Sequence, residues 1–175
     1  DPLFARCLYL EDAGNNSLAI ICLDLIFGGF ELCDELRAAI KKQTGIENTL
    51  VNFSHSHSSA SLGARGHTEI SNDTDSKWND ATLDKILSLV KEAKKRAEPV
   101  SLRMGRAPVQ VGFNRRLVNK ENGHVYMGVN RKGPVVPWVN VLCADSVESG
   151  KSIAVLYETA AHPVIVPDSS KLTSA

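Results

Sequence analysis

Residues 18–26 read LAIICLDLI, an almost unbroken apolar run, and two more patterned segments follow it closely: FELCDELRAAIKKQ at about 30–43 and NTLVNFS at 48–54. A short continuous apolar run is a strand expected to be buried on both faces. In 30–43, Leu32, Cys33, Leu36, Ala39 and Ile40 fall on one stripe of a helix and the charges on the other, with Gly45 as the stop. A strand, a helix and a strand in that order form a crossover unit, which implies parallel pairing. The same apolar run has a second partner upstream. FARCLYL at 4–10 is separated from it by the turn-rich AGNNS at 13–17, which reads as a β-hairpin.

Beyond residue 54 the pattern changes. Residues 58–80 are rich in Ser, Gly, Asn, Asp and Thr, a long loop of the kind that usually carries function or moves. A second helix is expected at about 80–97, where Leu83, Ile86, Leu87, Val90, Ala93 and Ala97 make the apolar stripe. Lys91, Lys94, Lys95 and Arg96 in its last turns suit the helix dipole and read as a solvated face, and Pro99 ends it. Strands return at about 100–112. NKENGH at 119–124 reads as a turn, and VNVLCAD (139–145) and SIAVLYET (152–159) as another hairpin. The fold class expected is α/β: a mixed β-sheet of about six strands with two helices packed on one face.

Composition excludes several functions. Twenty basic residues balance twenty acidic ones among 175. A nucleic-acid binder or a polybasic membrane-surface protein would show a basic excess. No run of about 18 apolar residues exists to make a transmembrane helix. The four cysteines (Cys7, Cys22, Cys33, Cys143) lack CxxC spacing and lie in apolar stretches, so they read as buried free thiols. The chain opens at Asp1-Pro2 and stops at LTSA, so residues 1–175 are expected to be one α/β domain, a truncated portion of a larger one. The missing signal peptide says nothing about compartment.

The chemistry gathers on histidine. In NFSHSHSSAS, His55 and His57 stand two apart at a strand end, so both side chains face one side. Imidazole is the commonest protein metal ligand and suits zinc, and a catalytic zinc keeps about three protein ligands. The plain alternative is a pair of polar residues at a strand end. His162, in YETAAHPVIV, also follows an apolar strand, and active sites in α/β sheets collect at strand ends. Pro163 restricts it to an extended conformation. GFNRRL at 112–117 offers Arg115 or Arg116 to a carboxylate or an oxyanion, or simply marks an exposed turn. Asp24, inside an apolar run, must be paired; it either orients a liganding histidine or caps the following turn. His67 and His124 are assigned to solvent, and Trp78 and Trp138 to packing. RKGPVVPWV at 131–139, stiffened by two prolines, is a candidate substrate-facing loop.

The order of these pieces resembles the neutral/alkaline (non-lysosomal) ceramidase family, in the N-terminal part of its chain: CLDL at 22–25, SHSHSS at 54–59, NRR at 114–116 and AAHP at 160–163. The resemblance runs from about residue 3 to 175. It implies a zinc-dependent amidohydrolase that cleaves the N-acyl bond of ceramide or a ceramide-like lipid amide, with His55 and His162 as zinc ligands. His57 and Arg115 would then be the catalytic residues that contact substrate. It further implies an extracellular or periplasmic location, possible peripheral membrane contact and no nucleic-acid partner. The family's remaining ligands, a glutamate and a tyrosine, and its serine-bearing segment are expected beyond Ala175. Where the family continues its histidine motif with Gly-Pro, this chain has Ser59-Ala60. A metal hydrolase of another amide or ester is the alternative, and a non-catalytic binding domain with a vestigial site is the other.

Overall fold

The computed structural model describes residues 2–63 and 73–164. His67, part of the long loop expected at 58–80, and the tail after Val164 lie outside the described residues. The chain forms two compact units, residues 1–97 with 163–175, and residues 98–162.

The first unit is the crossover and its hairpin. β1 (Ala5–Glu11) pairs antiparallel with β2 (Ser17–Leu23), and β2 pairs parallel with β3 (Asn48–Phe53), giving the order β1-β2-β3. The hairpin turn is tied by Asp12, whose Oδ1 accepts the N–H groups of Gly14 (2.8 Å) and Asn16 (2.9 Å). Between β2 and β3 runs α1 (Phe30–Thr44). It ends at Gly45, which is left-handed (φ 74°) and donates its N–H to Lys41 O. α2 (Asp73–Lys95) begins earlier than the expected residue 80, so the C-terminal part of the segment expected as a loop, residues 73–80, is helical.

Both helices pack on one face of this sheet, as expected. Ala19, Ile21 and Leu23 of β2 meet Leu36 and Ile40 of α1 and Ile86 and Val90 of α2, with Leu25, Ile46 and Leu62 closing the cluster. Burying each large aliphatic side chain contributes about 1.5–3 kcal/mol. The basic end of α2 is exposed, as read from the sequence, and it also ties the helices together. Lys91 Nζ donates to Gln43 Oε1 and Lys94 Nζ to Thr44 O, both at 2.6 Å, so Lys94 satisfies a carbonyl at the end of α1.

One expectation fails here. β2 alternates between buried and half-buried residues and is not buried on both faces. Its helix-facing side is sealed, whereas Leu18, Ile20 and Cys22 on the other side are only half-buried. An apolar run does not reveal whether a second layer covers its far face. The thiols follow the same division: Cys33 is buried and Cys7, Cys22 and Cys143 are half-buried, all of them free.

The second unit holds β4 (Val100–Pro108), β5 (Asn114–Val118), β6 (Val125–Asn130), β7 (Trp138–Ser146) and β8 (Ser152–Thr159). They form two antiparallel sheets, β4-β7-β8 and β5-β6. The mixed α/β class therefore holds, but the strands are distributed over three small sheets instead of one. The expected 119–124 turn joins a hairpin of NRRLV and VYMGVN, two strands beyond those expected from the sequence. Local antiparallel pairing closes such sheets without any need to join a larger one. Trp78 and Trp138, expected in packing, are both exposed (39% and 41%); Trp138 instead lies beneath the Arg106 guanidinium. No helix among the described residues is long and apolar enough to cross a membrane.

Two outcomes follow from this core. Ile40→Ala removes a fully buried side chain at the α1–sheet contact and is expected to cost about 2–5 kcal/mol in denaturant melts. Burial, reinforced by nearby Cys22, raises the Cys7 thiol from 9.0 to about 11. The folded state thus favours the protonated thiol. That stabilisation is complete below about pH 9 and is lost as pH rises towards 11. Cys7→Ser should flatten this alkaline decline in stability measured across pH 8–11, and native Cys7 should alkylate slowly at pH 8.

Candidate metal centre

β3 ends at Phe53, but its pairing continues past the strand. Ser54 N–H donates to Leu23 O (2.9 Å) and His55 N–H to Leu25 O (3.0 Å). His55 itself is left-handed, with φ 61°, a conformation costing a residue with a Cβ roughly 1–3 kcal/mol. The chain then folds into a tight turn, where Ser59 N–H and Oγ–H both donate to Ser56 O at 3.2 and 2.7 Å. The expectation that His55 and His57 face one side holds in outcome but not in mechanism. Both lie beyond the strand, and the turn keeps the alternation: His55 and His57 are exposed while Ser56 and Ser58 are buried. The two imidazole rings stand 5.1 Å apart, nearly perpendicular at 89°.

His162 arrives by a different route. It follows β8 and is bonded to Pro163, whose carbonyl accepts the His57 N–H at 3.4 Å. One ligand atom from each of His55, His57 and His162 lies within 4.8 Å of the other two. Atoms that close could share one divalent ion, and imidazole nitrogen is a common zinc donor. His55 is already oriented for it: its Nδ1 donates to Ile26 O at 2.7 Å. Metal-bound histidines commonly make such a bond with the nitrogen that does not face the ion. The donor set suits zinc.

The other candidates make the following contacts. Arg115 is exposed on β5, its guanidinium beside Met127 Sδ. Asp24 accepts the Phe4 N–H at 3.1 Å and pairs with Arg6, again at 3.1 Å, so it clamps the start of β1 to the end of β2. Neither role read from the sequence, orienting a histidine or capping the following turn, describes these contacts, which anchor β1 instead. His124 is exposed, as expected. In 131–139, Pro134 O and Pro137 O accept bonds from Asn114 Nδ2 and Val109 N–H and hold that loop against its neighbours. The Ile26 carbonyl could not be found from sequence, because a main-chain oxygen has no residue-type signature.

The fold and the cluster define a mixed α/β protein bearing three convergent imidazoles, a donor set for one divalent ion. No family model matches the chain, and neither does any curated protein sequence. Its fold is shared with solved structures of ceramidases. A ceramidase complexed with C2 superimposes with a TM-score of 0.71 at 18% identity, covering 98% of this chain and 28% of that one. Neutral ceramidase from Pseudomonas aeruginosa superimposes with a TM-score of 0.72 at 17% identity, covering the same shares. The resemblance read from the motifs therefore extends to the fold, and this chain spans 28% of the length of those proteins.

The placement of Asp24 generates a test. Asp24→Ala is expected to destabilise the first unit by about 1–3 kcal/mol while leaving metal content unchanged. Loss of metal in a folded Asp24→Ala protein would return Asp24 to the role of orienting a ligand.

Proposed function

We propose that this chain is part of a zinc-dependent amidohydrolase of the neutral ceramidase kind, acting on the N-acyl bond of ceramide or a ceramide-like lipid amide. The observation that carries the reading is the convergence of His55, His57 and His162 within 4.8 Å, on a fold shared with ceramidases. His55 and His162 are assigned as zinc ligands. His57 and Arg115 are assigned as catalytic residues on the substrate side. Further ligands come from parts of a larger catalytic domain of which residues 1–175 are one portion. The location is extracellular or periplasmic, with peripheral contact to the membrane that supplies the lipid.

An amide is a poor electrophile, and zinc, when bound, polarises its carbonyl and brings the pKa of water to about 7. The residues of this chain do the rest. His57 is exposed next to the ligand ring of His55, where an imidazole can act as a general acid or base toward the reacting group. Arg115 is assigned to offer its guanidinium to the tetrahedral oxyanion. The buried hydroxyls of Ser56 and Ser58 fill the inner side of the turn, so the imidazoles take its outer side.

The test uses the whole protein. A His55→Ala, His162→Ala double variant should lose its zinc and at least 1,000-fold in hydrolysis of an N-acyl sphingosine, whereas His57→Ala should keep zinc and lose roughly 100-fold or more in kcat. Unchanged zinc stoichiometry in the double variant would place the ion elsewhere. The Ser59-Ala60 sequence, in place of Gly-Pro, favours one second reading, a metal hydrolase of another acyl substrate. Cleavage of N-acyl amino acids or esters, but no N-acyl sphingosine, would select it.

A further inference from the structure

His55 is held at two points by consecutive main-chain carbonyls. Its backbone N–H donates to Leu25 O at 3.0 Å, and its ring Nδ1 to Ile26 O at 2.7 Å. A carbonyl only accepts, so Nδ1 carries the hydrogen and, in the neutral ring, Nε2 carries the lone pair. The left-handed backbone at His55 brings the ring back over residue 26.

Ile26 is itself fixed by a short ladder. Its N–H donates to Ala60 O (3.0 Å), Leu62 N–H donates to Phe27 O (2.9 Å) and Gly29 N–H donates to Leu62 O (3.0 Å), with Gly28 and Leu62 forming a parallel bridge. These rungs stitch residues 26–29 to residues 60–62, on the far side of the histidine turn. Two glycines let the strands of this seam approach. A Cβ on Gly28 would stand 2.3 Å from Cζ of Phe53, and one on Gly29 2.8 Å from Gly63 O. Phe53 is the last residue of β3, two before His55, so crowding at Gly28 would act directly on the backbone that carries the ligand.

We propose that the Ile26 carbonyl, locked by the glycine seam, is the positioning group for His55. It fixes the ring as the Nδ1–H tautomer and makes Nε2 the ion-facing atom. A main-chain oxygen thus fills a place often taken by a carboxylate. The ring is prepared by the fold before any ion binds. This deepens the metal reading above and rests on it.

The test reads the ring itself. The protein is labelled with 15N at histidine only, stripped with chelator and followed by long-range 1H–15N NMR as zinc is added. His55 is expected as the Nδ1–H tautomer before zinc, with Nδ1 still protonated and Nε2 shifted afterwards. An Nε2–H ring, a mixture of tautomers, or zinc on Nδ1 would overturn the proposal while leaving the metal reading in place. Zinc bound elsewhere, with the ring as stated, would overturn the metal reading instead. Gly28→Ala should mix the tautomers and weaken zinc binding by roughly 10–100-fold. Gly28→Ala with Phe53→Leu, which makes room for the new Cβ, should recover most of that loss. Unchanged tautomer and affinity in a folded Gly28→Ala protein would remove the seam from the account. Should Gly28→Ala fail to fold, the spectra of the unsubstituted protein still decide the tautomer.

Discussion

The parallel pairing of β2 with β3 is the constraint on which the rest depends. It places Leu23 opposite Phe53, and the same run of bonds then carries Ser54 onto Leu23 O and His55 onto Leu25 O. The pairing is set by burial. Ala19, Ile21 and Leu23 must face the helices, and a slip of one residue would turn them outwards and move His55 off its carbonyls. The core and the candidate metal centre thus share one register. Apolar side chains on one side of β2 determine where an imidazole stands beyond the end of β3.

Much of this was legible in the chain. The crossover appeared as an apolar run, an amphipathic segment and a second run, and Gly45 marked the helix end through its tolerance of positive φ. The three histidines were legible as residues that follow apolar strands. The division into three sheets was not. Alternation in NRRLV and VYMGVN is weak, and nothing in a strand's sequence names its partner. The far face of β2 misled for a related reason, since hydrophobicity signals a preference for burial and not the presence of a cover. At the site, the same-side geometry of His55 and His57 was anticipated as strand pleating. It is produced instead by a left-handed residue and a serine turn, and no composition rule assigns φ 61° to a histidine.

The comparison with ceramidases agrees with this division between what is local and what is distant. At 17–18% identity the backbone is retained over 98% of the chain, so the fold tolerates broad exchange of side chains. Close to the histidines the local constraints include the close approach at Gly28 and Gly29 and the clamp of Asp24 on Phe4 and Arg6. Asp24 and the glycine seam both act at the end of the sheet where β2 and β3 finish. One secures the start of β1; the other secures the turn that presents the histidines.

The most direct measurement of the central claim is zinc K-edge X-ray absorption on the zinc-loaded protein. The account predicts a shell of nitrogen and oxygen at about 2.0–2.1 Å, with multiple scattering from at least two imidazoles, one of which disappears in His162→Ala. A shell containing sulfur at about 2.3 Å, or a spectrum indifferent to His162→Ala, would contradict it.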